Sequence, residues 1–232
     1  MHNKVKILQI ENNFYKLHIK RNSLAKRIIL RVSNSNYDIL LTLPKYETEK
    51  NGLKFITKNK NWILEEIKKL PQRVFLADKS IILYKGEPHQ IIYLGDNKNF
   101  IFSTKGKIFI FCKKSKLEQN LNYWLKNKAK DAILRQIKSK INLLGTTANK
   151  IRIKDLKTCW GSCCENGNLS FSWRLILAPP VVLEYIVVHE LCHLIELNHS
   201  KKFWELLNNI FPNKDYSIKW LKKNGSLLHN IG

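Results

Sequence analysis

The sequence has no apolar stretch that is long enough to cross a membrane. Its longest uncharged apolar run extends from Leu175 to Leu183 and contains two prolines, whereas a membrane-spanning helix needs roughly 20 residues. The opening MHNKVKILQIENNFY also lacks the apolar core of a secretory signal peptide. We therefore expect no membrane partner.

Cysteines are few, and their arrangement is poor for a disulfide framework. The chain has 5 cysteines, an odd number, and Cys163 and Cys164 are adjacent. Free thiols persist in a reducing compartment. The cysteine content therefore favours a cytoplasmic location.

Acidic residues are also few. The chain has 18 Asp and Glu against 41 Lys and Arg, which gives a formal net charge of +23. A protein this basic attracts anions such as nucleic acid and nucleotides. The lysines are scattered rather than grouped, however, and AT-rich codon usage would produce the same excess of Lys, Asn and Ile. Both interpretations of the charge stay open at this level.

The spacing of apolar residues predicts a chain that mixes helices and strands. Alternation predicts strands at 27–33 and 37–43, and a helical step predicts a helix over 53–69. Short apolar runs between Ile81 and Cys112 are typical of a β meander. The other predicted elements are a helix over 117–144, strands at 151–157 and 168–176, a helix from Pro180, and helices near 201–210 and 215–223.

The helix that begins near Pro180 carries the sequence HELCH at residues 189–193. His189 and His193 lie one turn apart on one face, so both imidazoles can bind one tetrahedral ion. Glu190 can then reach water at that ion and accept its proton. About 0.01 HExxH strings are expected by chance in a chain of this composition. The motif is therefore a specific signal for a catalytic metal site.

A third ligand is expected beyond the end of this helix. His199 follows His193 by six residues, and Asn198 tolerates the left-handed backbone that would turn the chain back. Three imidazoles with one open position favour Zn²⁺, and other first-row ions also accept such a ligand set. We expect a metal-dependent hydrolase in which Glu190 acts first as base and then as acid.

The sequence from Trp160 to Trp204 resembles the YgjP-like family of zinc metallopeptidases, which are relatives of the SprT-like and wider zincin proteases. SLAKRIILRV at 23–32 and NWILEEI around Trp62 are also similar to that family, so the resemblance covers nearly the whole chain. It departs from the metzincin pattern at Glu196, which replaces the glycine expected midway between the second and third histidines. We therefore do not place the chain among true metzincins.

This resemblance implies the same site as the motif. The metal ligands would be His189, His193 and His199, with Glu190 as the catalytic acid and base. The expected fold is α+β of zincin type: an N-terminal β-rich region with one helix over 1–115, and a metal-binding helical region over 116–232, forming one continuous structural unit.

Further candidates flank the metal helix. Trp160, Gly161 and Ser162 lie in the preceding strand connection, and in zincin folds the strand beside the metal helix lines the cleft and can pair with an extended substrate. Arg174 is a candidate for a charged substrate contact, with a plain salt bridge as the alternative. The carboxylates of Glu196 and Glu205 are candidates for accepting hydrogen bonds from the ligand imidazoles.

The substrate is open between three interpretations. Peptide hydrolysis is what the resemblance implies. A nucleotide or other phosphoanhydride is an alternative, because water activated by zinc also attacks phosphorus and the positive charge attracts phosphates. The third interpretation is a basic nucleic-acid-binding protein, with a structural zinc or as a protease acting on DNA-bound proteins. Glu190 beside His189 argues against a structural zinc, and no recognised DNA-reading motif is present.

Overall fold

The computed structural model describes residues 4–11, 13–33, 37–70, 74–95 and 98–232. Within these residues, six α-helices and eleven strands in three sheets form an α+β structure, which confirms the predicted fold class. The chain divides into two compact units, Met1–Arg73 and Val74–Gly232. The boundary expected near residue 115 falls inside the second unit, because the strands before it share a hydrophobic core with the helix that carries His189.

The first unit is a mixed four-stranded sheet with two helices. The strand order is β1-β2-β4-β3, in which β2 and β4 are parallel and the outer pairs are antiparallel. Alternate strand residues face Ile56 and Ile63 of the helices and form the core of this unit. The elements are β1 Lys4–Ile10, β2 Asn13–Arg21, β3 Ile29–Val32, β4 Ile39–Leu43, α1 Glu49–Lys58 and α2 Lys60–Lys69.

Two local features differ from the sequence prediction. The single helix predicted over 53–69 is broken between α1 and α2 at Asn59, whose Nδ2 donates to the Phe55 carbonyl at 2.8 Å. An asparagine side chain that bonds the backbone in this way competes with helix continuation. The second difference is the antiparallel hairpin of β1 and β2, which the sequence prediction does not include.

The second unit contains two sheets and four helices. One sheet has the order β5-β6-β8-β7 and the other β10-β11-β9. The predicted meander is wrong in topology, because β6 pairs in parallel with β8 and joins two hairpins. The elements are β5 Ile81–Tyr84, β6 Glu87–Tyr93, β7 Phe100–Thr104, β8 Lys107–Phe111, α3 Leu117–Lys140, β9 Lys150–Lys154, β10 Gly161–Cys163, β11 Asn168–Ser172, α4 Pro180–Cys192, α5 Lys201–Ile210 and α6 Lys214–His229.

Helix α4 lies at the centre of the second unit. Most of its side chains are buried, and it contacts α3, α5, α6 and strand β10. Its start is fixed by the β5–β6 turn, where a Cβ at Gly86 would come 2.6 Å from the Pro179 ring. A helix buried on all sides positions its few polar residues rigidly. No helix in the described part of the chain is long and apolar enough to cross a membrane.

Candidate metal centre

Helix α4 presents two histidines at its C-terminal end. His189 lies in its last turn, and His193 follows directly as the C-terminal cap residue. The next three backbone N–H groups, those of residues 194–196, donate back to Leu191 and Cys192, so the chain turns at once. The two imidazoles therefore meet at one side of the helix end, with ring centroids 4.9 Å apart.

His199 reaches the same place from the loop before α5. Asn198 does not adopt the left-handed backbone that the sequence suggested. Instead its side-chain oxygen accepts from the Ser200 N–H at 2.9 Å, and the Ser200 hydroxyl caps α5 by accepting from the Phe203 N–H. Two side-chain oxygens thus hold the backbone on the C-terminal side of His199.

The three imidazoles converge as a metal site requires. One nitrogen of each lies within 4.8 Å of those of the other two. The Nε2 atoms of His189 and His199 are 3.1 Å apart, close to the roughly 3.3–3.4 Å separating two nitrogens bound tetrahedrally to one zinc ion at about 2.0–2.1 Å. Because the lone pairs of two neutral imidazoles repel at this distance unless a proton or cation lies between them, the residues present fit a metal ion.

The surroundings keep the imidazoles in the form that binds a metal. Burial, and then the neighbouring His193 and His199, lower the pKa of His189 to about 4, so its ring is neutral at neutral pH. Burial also lowers the pKa of His193. Nδ1 of His193 lies 2.9 Å from the backbone carbonyl of Glu196, which fixes the proton on Nδ1 and leaves Nε2 free.

The hydrogen-bond partner of His193 corrects one sequence-based expectation. Glu196 contributes its backbone oxygen to this contact and not its carboxylate. Glu205 forms an exposed ion pair with Lys201 at 3.6 Å on α5. The described residues provide no partner for His189 Nδ1, which is buried.

Three aromatic rings pack against the histidines. Phe203 is fully buried and stacks on His193 at 4.6 Å between ring centroids. Trp204 stacks on His199 at 5.6 Å, and Tyr185 meets His189 edge to face at 5.9 Å. These contacts restrict the rotamers of all three imidazoles, so the nitrogens are held in place before any ion binds.

Glu190 faces strand β10. A Cβ added to Gly161 would come 2.6 Å from both Cγ and Oε1 of Glu190, so only glycine leaves room for this carboxylate. Glu190 is 6% exposed, and burial raises its pKa to about 7. On the same strand, burial and then the Glu190 charge raise the pKa of the Cys163 thiol to about 11. Gly161 therefore belongs to the site because its lack of a side chain leaves room for the Glu190 carboxylate.

Strand β10 is an edge strand beside this carboxylate. Within the described part of the chain it pairs only with β11. The Trp160 carbonyl and the Cys164 N–H bond to β11. Because bonding alternates along an antiparallel pair, the backbone groups of Gly161 and Cys163 point to the free edge.

Trp160 and Ser162 are the two candidates on either side of Gly161, and their side chains have different surroundings from Gly161. The Trp160 ring stacks on His229 of α6 at 4.4 Å and packs against Gly225, where a Cβ would come 3.2 Å from the ring. It therefore fastens β10 to α6. Ser162 points to the face of β10 opposite to Gly161, because strand residues alternate.

Arg174 is a structural residue rather than part of the cleft. It is 5% exposed, and its guanidinium forms an ion pair with Asp155 and donates to the Ile231 carbonyl from Nε and Nη2 at 3.2 and 3.1 Å. None of these partners belongs to the histidine group. The expected substrate contact is therefore replaced by the alternative, a salt bridge that joins the end of β9 to the C-terminal segment.

Comparison with known proteins identifies related sequences at the level of the family. A family model described as YgjP-like, metallopeptidase domain, matches residues 26–224, which include the whole histidine group, Glu190 and β10. The match confirms the resemblance seen in the sequence, and such a family implies a metal. None of the curated proteins matches the chain.

Proposed function

Because the chain belongs to the YgjP-like metallopeptidase family, we propose that it is a zinc-dependent peptidase. His189, His193 and His199 hold the zinc, and Glu190 is the catalytic acid and base. The observation that carries the proposal is the convergence of three imidazole nitrogens within 4.8 Å at the end of a buried helix, next to a buried carboxylate that faces an edge strand.

The roles of the residues follow from their positions. When bound, zinc lowers the pKa of water to about 7 and polarises a carbonyl oxygen. Glu190 takes a proton from the attacking water at a carboxylate oxygen and returns it to the amine nitrogen as the C–N bond breaks. The nearly complete burial of Glu190 strengthens this proton transfer, because few waters compete for the carboxylate.

A polypeptide is the substrate that the cleft suits best. The outward backbone groups of Gly161 and Cys163 can pair with an extended chain, which would pass beside Glu190. Ile195 and Leu197, in the loop between the second and third histidines, are 51% and 55% exposed. They offer apolar contact to substrate side chains and have no evident use in binding a phosphate.

A nucleotide phosphohydrolase is the second candidate, and the net charge of +23 favours it. It requires the same ligands and the same base.

The free thiols at all five cysteines suit a reducing compartment, and we propose the cytoplasm.

The deciding experiment compares the zinc-loaded chain with Glu190→Gln on an unstructured polypeptide and on nucleoside triphosphates. Glutamine keeps the shape of the side chain but cannot accept the proton. We expect Glu190→Gln to keep about one zinc per chain and to hydrolyse polypeptide at least about a hundredfold more slowly. His189→Ala, His193→Ala and His199→Ala should each lose the metal, measured by elemental analysis.

Three results would contradict the proposal. Hydrolysis of triphosphates but not of polypeptide would select the phosphohydrolase. A wild-type rate in Glu190→Gln would remove the assigned base. Full zinc occupancy in His199→Ala would place the third ligand elsewhere.

A further inference from the structure

The first unit carries a groove that the peptidase site does not use. It has a volume of about 680 Å³ and is bordered by residues 26–31, by Pro44, Tyr46 and Glu47 of the loop after β4, and by Phe55 of α1. A smaller pocket of about 200 Å³ contains Leu30 and Phe55 as well, and extends to Trp62 of α2. The two cavities therefore share a wall.

Three cations line this groove without acidic partners. Lys26, Arg27 and Arg31 are exposed, and among the described residues no carboxylate lies within ion-pair distance of them. The only acidic lining residue is Glu47, whose Oε1 accepts hydrogen bonds from its own neighbourhood at Thr48 and Asn51. The lining is therefore positive and is available to an anion.

Aromatic rings accompany these cations. Tyr46 in the loop is 75% exposed and Trp62 is 39% exposed, while Phe55 is half-buried between them in the lining of both cavities. Within the described part of the chain, no other ring stacks on these three. Unpaired ring faces next to unpaired cations are what a nucleic-acid single strand requires, since its bases stack and its phosphates carry charge.

The groove is already formed in the free protein. Arg21 Nη1 donates to the carbonyls of Pro44, Lys45 and Glu47 at 3.3, 3.2 and 2.7 Å. The Tyr46 hydroxyl donates to the Lys26 carbonyl at 2.8 Å. These bonds fix the loop against the cation-bearing segment, so little ordering is needed when a ligand binds.

We propose that this groove is a binding site for single-stranded nucleic acid, with Lys26, Arg27 and Arg31 on the phosphates and Tyr46 and Trp62 stacking on bases. Duplex DNA is a poorer fit, because its bases are already stacked and cannot reach the rings. An acidic polypeptide would satisfy the cations but not the ring faces. The site lies in the first unit, and it stands whether or not the chain is a peptidase.

The first test uses the full chain and a fluorescent oligothymidylate of about 12 nucleotides, measured by anisotropy. Lys26→Gln/Arg27→Gln/Arg31→Gln is compared with Lys16→Gln/Lys20→Gln/Lys50→Gln, three exposed lysines of the same unit outside both cavities. Both variants lose the same charge. We expect at least a roughly thirtyfold loss of affinity for the groove variant and less than about threefold for the control, with a shallower salt dependence only in the former.

A second test separates stacking from charge. Tyr46→Ala should weaken binding about tenfold. Tyr46→Phe keeps the ring and loses only the bond to Lys26, and the three bonds from Arg21 still hold the loop, so it should bind nearly as the parent does. A duplex of equal length and polyglutamate serve as competitors, and both should compete weakly.

Several results would overturn the proposal. If the two charge variants weaken binding equally, the binding depends on the overall positive charge of the protein and not on the groove. Insensitivity to Tyr46→Ala, or duplex binding as tight as single-strand binding, would remove the stacking site. Efficient displacement by polyglutamate would identify an acidic protein as the occupant.

Discussion

Gly161 stands 29 positions before Glu190 in the chain and yet sets the space that this carboxylate occupies. A methyl group at residue 161 would overlap Cγ and Oε1 of Glu190 at 2.6 Å. We expect Gly161→Ala to displace the carboxylate and lower the hydrolytic rate by roughly a hundredfold, the scale of an atomic misplacement near 1 Å. Zinc content, measured by elemental analysis, should stay at the wild-type level because the histidines are untouched.

The matched control is Cys159→Ala, a change at an exposed residue of the same strand connection. It should leave both the rate and the zinc content unchanged. Gly161→Ala with full activity would show that Glu190 has another position from which it can work, and the assigned role of the glycine would be lost.

His229 should give the stability a pH dependence that does not involve the histidine group of the candidate metal centre. Burial, and then the Arg174 charge, lower its pKa below the ordinary 6.5, while Asp155 opposes the shift. Because the folded state favours the neutral ring, His229 contributes stability that is present above pH 6.5 and is lost as the pH falls. The melting temperature of the metal-free chain should therefore fall less between pH 8 and pH 5.5 in His229→Phe, which keeps a ring against Trp160.

Chelator is added to both proteins in this comparison, so loss of zinc at low pH does not contribute. At pH 8 the His229 ring is neutral, so the melting temperature of each protein at pH 8 is the reference for its own decrease at lower pH. If their melting temperatures fall in parallel, His229 takes up its proton in the folded state without cost.

Among the elements, strand β10 is the one for which we propose pairing with an extended substrate. Its outward N–H at Cys163 would be lost in Cys163→Pro, since proline donates no hydrogen bond and is tolerated on an edge strand. We expect kcat/KM for a long extended peptide to fall at least about tenfold, with zinc retained. Cys163→Ala keeps the N–H and should stay near the wild-type value.

A short peptide that does not extend along β10 is the second comparison. Its hydrolysis should be little affected by Cys163→Pro, because it makes no bond to that N–H. If the long and short peptides lose activity equally, substrate pairing with this edge is excluded.

The elements also show which parts of the structure a sequence can reveal. The convergence of His189 and His193 depends on the pitch of one helix, so local spacing predicted it. The contact between Glu190 and Gly161, and the parallel pairing of β6 with β8, depend on segments that meet only in the folded chain. The partners of Arg174 could not be predicted for the same reason, because Asp155 and Ile231 lie 19 and 57 positions away from it in the sequence.

At the scale of the whole molecule, the two proposed chemistries lie in separate compact units. The histidine group and Glu190 belong to Val74–Gly232, and the basic aromatic groove belongs to Met1–Arg73. A ligand that binds only the folded form stabilises the backbone around its own site. Zinc and a single-stranded oligonucleotide should therefore slow hydrogen exchange in different segments of the chain.

Hydrogen exchange read by mass spectrometry can separate these two effects. Zinc should slow exchange at the end of α4 and in α5, because His189 and His193 lie at the end of α4 and His199 lies just before α5. It should also slow exchange in β10, which Glu190 contacts. An oligothymidylate should slow exchange in residues 26–31 and 44–47. His193→Ala should abolish only the first effect, and Lys26→Gln/Arg27→Gln/Arg31→Gln only the second. Oligonucleotide protection confined to β10, the end of α4 and α5 would place the anion at the histidine site, and would favour the phosphohydrolase over both the groove and the peptidase.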